Sequence, residues 1–147
     1  MYKRYLIIFA LLITLPFIGK FYWAKQETGV LKILPCADIT RGCGNDFLDV
    51  HFEESPKVMQ PLHLNLHLSD AENIKNIHID FVMKNMEMGL NRYLLIPSNQ
   101  RGEWQAVVTL PVCSQGRSHW NMMIEIESAD IVQHFQIPFS ANPSGAD

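Results

Sequence analysis

Between residues 62 and 68 the chain reads Leu-His-Leu-Asn-Leu-His-Leu, with a leucine at every second position. A period of two suits a strand with one face in a core and the other in water. It suits no helix, whose faces repeat every 3.6 residues. The same alternation recurs along the chain. Leu48, Val50 and Phe52 share one parity, and Ile77, Ile79, Phe81 and Met83 share another, with His78 and Asp80 on the opposite side. A short run from Tyr93 to Ile96 precedes Trp104, Ala106, Val108 and Leu110, which alternate with Gln105, Val107 and Thr109. Trp120, Met122, Ile124 and Ile126 point one way and Asn121, Glu125 and Glu127 the other; Phe135, Ile137 and Phe139 complete the set. Turn signals such as Ser69-Asp70, Pro97-Ser98-Asn99 and Ser128-Ala129-Asp130 divide these runs. About seven short strands over residues 46–140 predict an antiparallel, immunoglobulin-like β-sandwich. Neither the Cys…Trp…Cys spacing nor the tyrosine corner of antibody domains is evident.

The first 25 residues follow other rules. Lys3 and Arg4 precede an apolar run from Tyr5 to Gly19, and Phe21, Tyr22 and Trp23 lie between Lys20 and Lys25. A helix needs about 20 mostly apolar residues to span a bilayer. Tyr5 to Ala24 offers such a stretch with one charge, Lys20, which can snorkel beside the aromatic residues. Bulky side chains stand where a signal peptidase needs small ones. Residues 1–25 are therefore expected to be an uncleaved signal-anchor transmembrane helix, with the remainder exported to the periplasm. Residues 26–45 read as a stalk and cysteine-containing lead-in, and residues 141–147 as a flexible tail.

Charge sharpens the division. Four of the twelve cations and none of the acids fall in the first 25 residues, leaving eight cations against all fifteen acids. A folded part near −7 disfavours nucleic acid as a partner. It also leaves the helix alone to hold the protein at the inner membrane.

Candidate chemistry gathers on sulfur. A hairpin about Pro97 to Gly102, with Ile96 opposite Glu103, places Leu95 against Trp104 and Tyr93 against Ala106, which keeps the apolar set on one side. Extended backward, this register brings Met88 to Pro111 and Met86 to Cys113. Two thioethers and a thiol form a soft-ligand cluster that suits Cu(I), and a thioether has no proton to lose at low pH. His119, just beyond the Leu110-Pro111-Val112-Cys113 turn, is the imidazole best placed to join Met86, Met88 and Cys113. Packing of methionine at a core end is the bland alternative. His63 and His67 lie about 13 Å apart along one strand and cannot share a metal. His67 could oppose His78 beside Asp80 if their strands pair. Cys36 and Cys43, separated by six residues, can form a disulfide that tethers the lead-in. Bridging either one to Cys113 is the rival pairing, and it would remove that thiol from any metal. No Ser-His-Asp set, buried acid pair or phosphate-cradling glycine loop is evident, so no catalytic residue is assigned and the chain is read as non-enzymatic.

Met86, Met88 and Gly89, followed by Gly102, Trp104 and Ala106, resemble the Met-x-Met-Gly and Gly-x-Trp-x-Ala segments of YtkA-like and FixH-like exported domains. Glu87 stands where those domains carry proline between the thioethers. The chain is also similar to a group of proteobacterial membrane-anchored proteins sharing Cys-x6-Cys, Met-x-Met-Gly-x-Asn-Arg and Leu-Pro-Val-Cys, here Cys36/Cys43, Met86–Arg92 and Leu110–Cys113. The resemblance implies a membrane-tethered β-sandwich that handles copper during assembly of haem-copper oxidases, with an oxidase or a Sco-type chaperone as partner. The alternative expectation is a non-catalytic interaction module docking on a membrane complex through Met86, Met88 and Leu90.

Overall fold

Alternation becomes architecture when the apolar faces of two sheets close on each other. The computed structural model describes residues 29–83, 91–112, 119–129 and 131–141. In chain order these residues form β1 (Lys32–Ile33), β2 (Cys43–Gly44), β3 (Leu48–Phe52), β4 (Pro61–Leu68) and β5 (Ile74–Val82). β6 (Arg92–Leu94), β7 (Ile96–Pro97), β8 (Glu103–Thr109), β9 (His119–Ser128) and β10 (Val132–Ser140) follow. One five-stranded sheet has the order β1-β10-β9-β5-β6 and the other β2-β3-β4-β8-β7. All neighbours are antiparallel except β1 and β10.

The alternating residues fill the space between the sheets. All four leucines of β4 at positions 62, 64, 66 and 68 are at most 1% exposed, as are Ile77, Ile79, Phe81, Trp120, Met122, Ile124 and Ile126. No polar or charged side chain is buried among the described residues, so the interior is a purely apolar slab. Both sheets end in strands of two or three residues: β1 and β6 in the first, β2 and β7 in the second. Short edges leave little unpaired backbone to recruit another chain.

Strand direction gives the sandwich two distinct ends. At one of them, β5, β8 and β10 finish and β9 begins. There Phe52 of the second sheet meets Phe81 and Phe139 of the first, with ring centroids 6.3 and 5.7 Å apart, and Tyr93 stands edge-on to Phe81 at 5.9 Å. At the opposite end Phe47 stacks on Phe135 at 6.1 Å. Aromatic contacts of this kind bind the two sheets at both extremities.

From Gly29 onward, the segment expected to be a stalk and lead-in is part of the sandwich. Gly29 donates its N–H to Val132 O at 3.0 Å and Leu34 donates to Gln136 O at 2.9 Å, so the chain runs up the edge of β10. It then crosses to the second sheet, burying Leu34 and Ile39, and Phe52 N–H donates to Ile39 O at 3.1 Å. β2 completes the crossing by pairing with β3, Cys43 opposite Val50. A Cys36–Cys43 disulfide, with Cα atoms 4.9 Å apart, closes the crossover. Oxidised cysteines of this sort belong to an extracytoplasmic compartment. Among the described residues no helix is long and apolar enough to cross a membrane, and the expected anchor lies outside them.

The expected hairpin register is corrected by two residues. Ile96 lies opposite Gln105 and Pro97 opposite Trp104, with Ser98 N–H donating to Glu103 O at 2.8 Å. Gly102, at φ 81°, makes the tighter turn possible; a Cβ there would stand 2.6 Å from Leu68 O. Upstream of the turn the pairing stops. Leu95, 2% exposed, carries the chain from one sheet to the other, and Tyr93 lies opposite Ile79 rather than Ala106. The run expected as one strand is therefore two, β6 and β7, in different sheets.

Candidate functional site

The switch of sheets at Leu95 removes the strand pairing that was to bring Met86 and Met88 to Cys113. Those three residues fall in segments 84–90 and 113–118, outside the described residues. What the framework does describe is where the segments leave it and return. β5 ends at Val82 opposite Asn121 of β9, and Met83 beyond it is buried at 4% exposure, in keeping with its core parity. Arg92, on the return, lies opposite Asp80. The Tyr93 hydroxyl donates to Thr109 O at 2.9 Å and accepts from Thr109 N–H at 3.2 Å, which ties this return to the end of β8. Segment 113–118 then lies between Val112 and His119, the first residue of β9. All four flanks sit at the end away from Gly29.

His119 is exposed at that end, opposite Ser140, with Nδ1 3.2 Å from Ser140 Oγ. It borders a cleft of about 660 Å³ between the tops of β9 and β10 and the disulfide-closed crossover, lined also by Cys36, Asp38, Thr40, Ser55 and Trp120. The cleft exists because β1 leaves β10 near Gln136, and Pro138 beyond has no N–H for a further partner. Asp38 accepts from the Thr40 hydroxyl at 2.7 Å and from Thr40 N–H at 3.0 Å. These bonds, with the Arg41 guanidinium in support, hold its carboxyl below the usual carboxylate range.

One residue at this end had no signal in the sequence pattern. Met59 has φ 61° and is 62% exposed, and its N–H donates to Leu110 O at 2.9 Å. A left-handed backbone is uncommon for a non-glycine residue and often marks a site where geometry is held for use. It places a solvent-facing thioether beside the strand end that runs toward Cys113. Val112 is 61% exposed in the same region.

The other expected imidazole arrangement does not form. His67 is on β4 and His78 on β5, in different sheets, and the two face different acids: His67 Nδ1 lies 2.9 Å from Glu103 Oε1, and His78 faces Glu125. Glu53, Glu54 and His63 bring donor atoms within 4.8 Å of one another. They are an exposed hydrogen-bonded group, in which Glu54 takes His63 N–H and Glu53 takes the Asn65 amide. Glu125, on the outward face of β9, is bridged to Asp80 by Arg92, with Nη2 2.6 Å from Glu125 Oε1 and Nη1 3.1 Å from Asp80 Oδ2. Only the β5–β6 pairing reveals that bridge, and three-residue β6 is too short to announce itself.

Comparison with protein-family models, with curated proteins and with solved structures finds no match to this chain.

Proposed function

We propose that this chain is a membrane-anchored, periplasmic accessory protein of immunoglobulin-like fold that handles Cu(I) for a respiratory haem-copper oxidase or its chaperone. Residues 1–25 serve as the helical anchor. Met86, Met88 and Cys113 hold the ion with His119, and Met59 adds a thioether beside them. One observation carries the reading: the flanks of both sulfur-bearing segments gather at one end of the sandwich, beside exposed His119. Soft thioether and thiolate donors choose Cu(I) over hard cations. The disulfide supports export, and because it joins Cys36 to Cys43 it leaves Cys113 free of either. Gly29 enters at the opposite end, so about 30 Å of strand separates the anchored end from the sulfur end. An ion held there faces a partner's extracytoplasmic domain and not the lipid.

Anaerobic Cu(I) titration of the full-length chain in detergent tests this. One ion per chain is expected to bind, with affinity falling at least about 100-fold when Met86→Leu, Met88→Leu and Cys113→Ser are combined, a change as large as losing outer-shell partners costs elsewhere. Unchanged affinity removes the copper reading. The competing docking-module reading draws on exposed Met59 and Val112 at the same end. Capture of a membrane complex that persists in a copper chelator would favour it.

A further inference from the structure

Exposed apolar side chains gather where the described chain begins. Val30, Leu31, Ile33 and Ile131 are four of the nine large apolar residues exposed among the described residues. They share one edge of the sandwich. β1 lies beside β10 with Ile33 opposite Gln136, and the bond from Gly29 N–H to Val132 O sets Val30 beside Ile131. Val30 is 83% exposed and Ile33 66%. Edge strands commonly carry charge at such positions. Here the cation is Lys32, whose ammonium lies 5.6 Å over the Phe135 ring. Asp70 and Glu72, at the same end of the sandwich, fall in the turn from β4 to β5, and β9 stands between β5 and β10. Asp46 is in the β2–β3 turn of the other sheet. This end therefore has an apolar corner at β1 and β10 and an acidic one at β5.

We infer that the β1–β10 edge is a lipid-docking surface, on which Val30, Leu31, Ile33 and Ile131 enter the boundary between headgroups and acyl chains. The inference rests on the reading of residues 1–25 as a membrane anchor. From Ala24 to Gly29 is five residues, a reach of at most about 18 Å, so the corner at Gly29 is held against the bilayer surface. Apolar faces of interfacial elements sink about 5–10 Å into that boundary. Exposed Lys32 meets the lipid phosphates beside them. Ile33 sets the tilt. It lies opposite Gln136, four residues or roughly 13 Å up β10 from Val132, where an upright sandwich would hold it in water. Ile33 and Ile131 reach lipid together only when the sandwich leans onto β1. That lean lifts Asp70 and Glu72 away from an anionic surface.

The test places the full-length chain in nanodiscs of phosphatidylethanolamine and phosphatidylglycerol. Cys113→Ser leaves a single introduced thiol to label, and circular dichroism confirms the fold of each variant. A fluorophore at Ile33→Cys or Ile131→Cys is expected to be quenched by headgroup-nitroxide lipid at least about threefold more strongly than one at Glu72→Cys or Val112→Cys. In Val30→Ser/Leu31→Ser/Lys32→Ser, quenching at Ile131→Cys falls to the level of Glu72→Cys although the chain stays in the bilayer. Equal quenching at Ile131→Cys and Glu72→Cys in inserted chains overturns the docking and leaves the anchor standing. Failure of the chain to enter the nanodiscs overturns both. Spin coupling between two copies labelled at Ile131→Cys, without quenching by lipid, overturns it too and assigns the edge to a second copy of the chain.

Discussion

Replacing Phe52 by alanine is expected to destabilise the protein by about 3–5 kcal/mol, the usual cost of emptying a buried phenylalanine site. Phe52 is fully buried and is the second sheet's contribution to the aromatic cluster that meets Phe81 and Phe139 of the first. Its backbone N–H also donates to Ile39 O of the crossover. Removing the ring opens a cavity between sheets that pair only through side chains, so neither backbone can close it. Against a typical total of about 5–15 kcal/mol, the loss is large, and the melting temperature should fall by on the order of 15 °C or more. Val107→Ala on the outer face of β8, where the side chain is 58% exposed, should change stability by no more than about 0.5 kcal/mol. Urea denaturation of the two variants beside wild type measures both. A Phe52 effect as small as that of Val107 would mean that the two sheets do not meet through this ring.

The second large effect belongs to the disulfide. Cys36 and Cys43 lie seven residues apart in sequence, and closing so short a ring restricts the unfolded chain by about 2.5 kcal/mol on the loop-entropy account. Cys36→Ala/Cys43→Ala is expected to lose roughly that amount. Reductant should lower the stability of wild type equally and leave the double variant unmoved. Hydrogen exchange should locate the loss, with amides of the crossover losing protection before those of β4, β5 and β9. Equal sensitivity of both proteins to reductant would contradict this, because it would trace the effect to Cys113.

The long strands were plain in the sequence and the edges were not. Leu62 to Leu68 and Trp120 to Ile126 repeat often enough for their period to stand out, and every inward residue named from them is buried. β1, β2 and β7 are two residues long and β6 is three, which is too short for any period. Alternation also has a blind spot in a sandwich. It tells which face of a strand meets the core, but both sheets turn their apolar faces to one core, so it cannot tell which sheet a strand joins. Tyr93 and Leu95 have the inward parity that either sheet demands, and nothing in the pattern marks the change of sheet between them. The same blindness put His67 beside His78. Sulfur and imidazole residues were legible as types. Met59 was not, since its interest comes from a left-handed backbone beside Leu110, which no spacing encodes. The bridge from Arg92 to Asp80 and Glu125 was hidden because its members come from three strands whose order only the topology supplies.

The distance between the two sulfur-bearing segments bears most directly on the proposed copper site. Spin labels on the native thiol of Cys113 and on Met88→Cys, in the full-length chain with the Cys36–Cys43 disulfide intact, give that distance by electron paramagnetic resonance. Labels at one end of the sandwich should show strong dipolar broadening, from a separation under about half the roughly 33 Å length of a ten-residue strand such as β9. A separation approaching that full length would contradict the account.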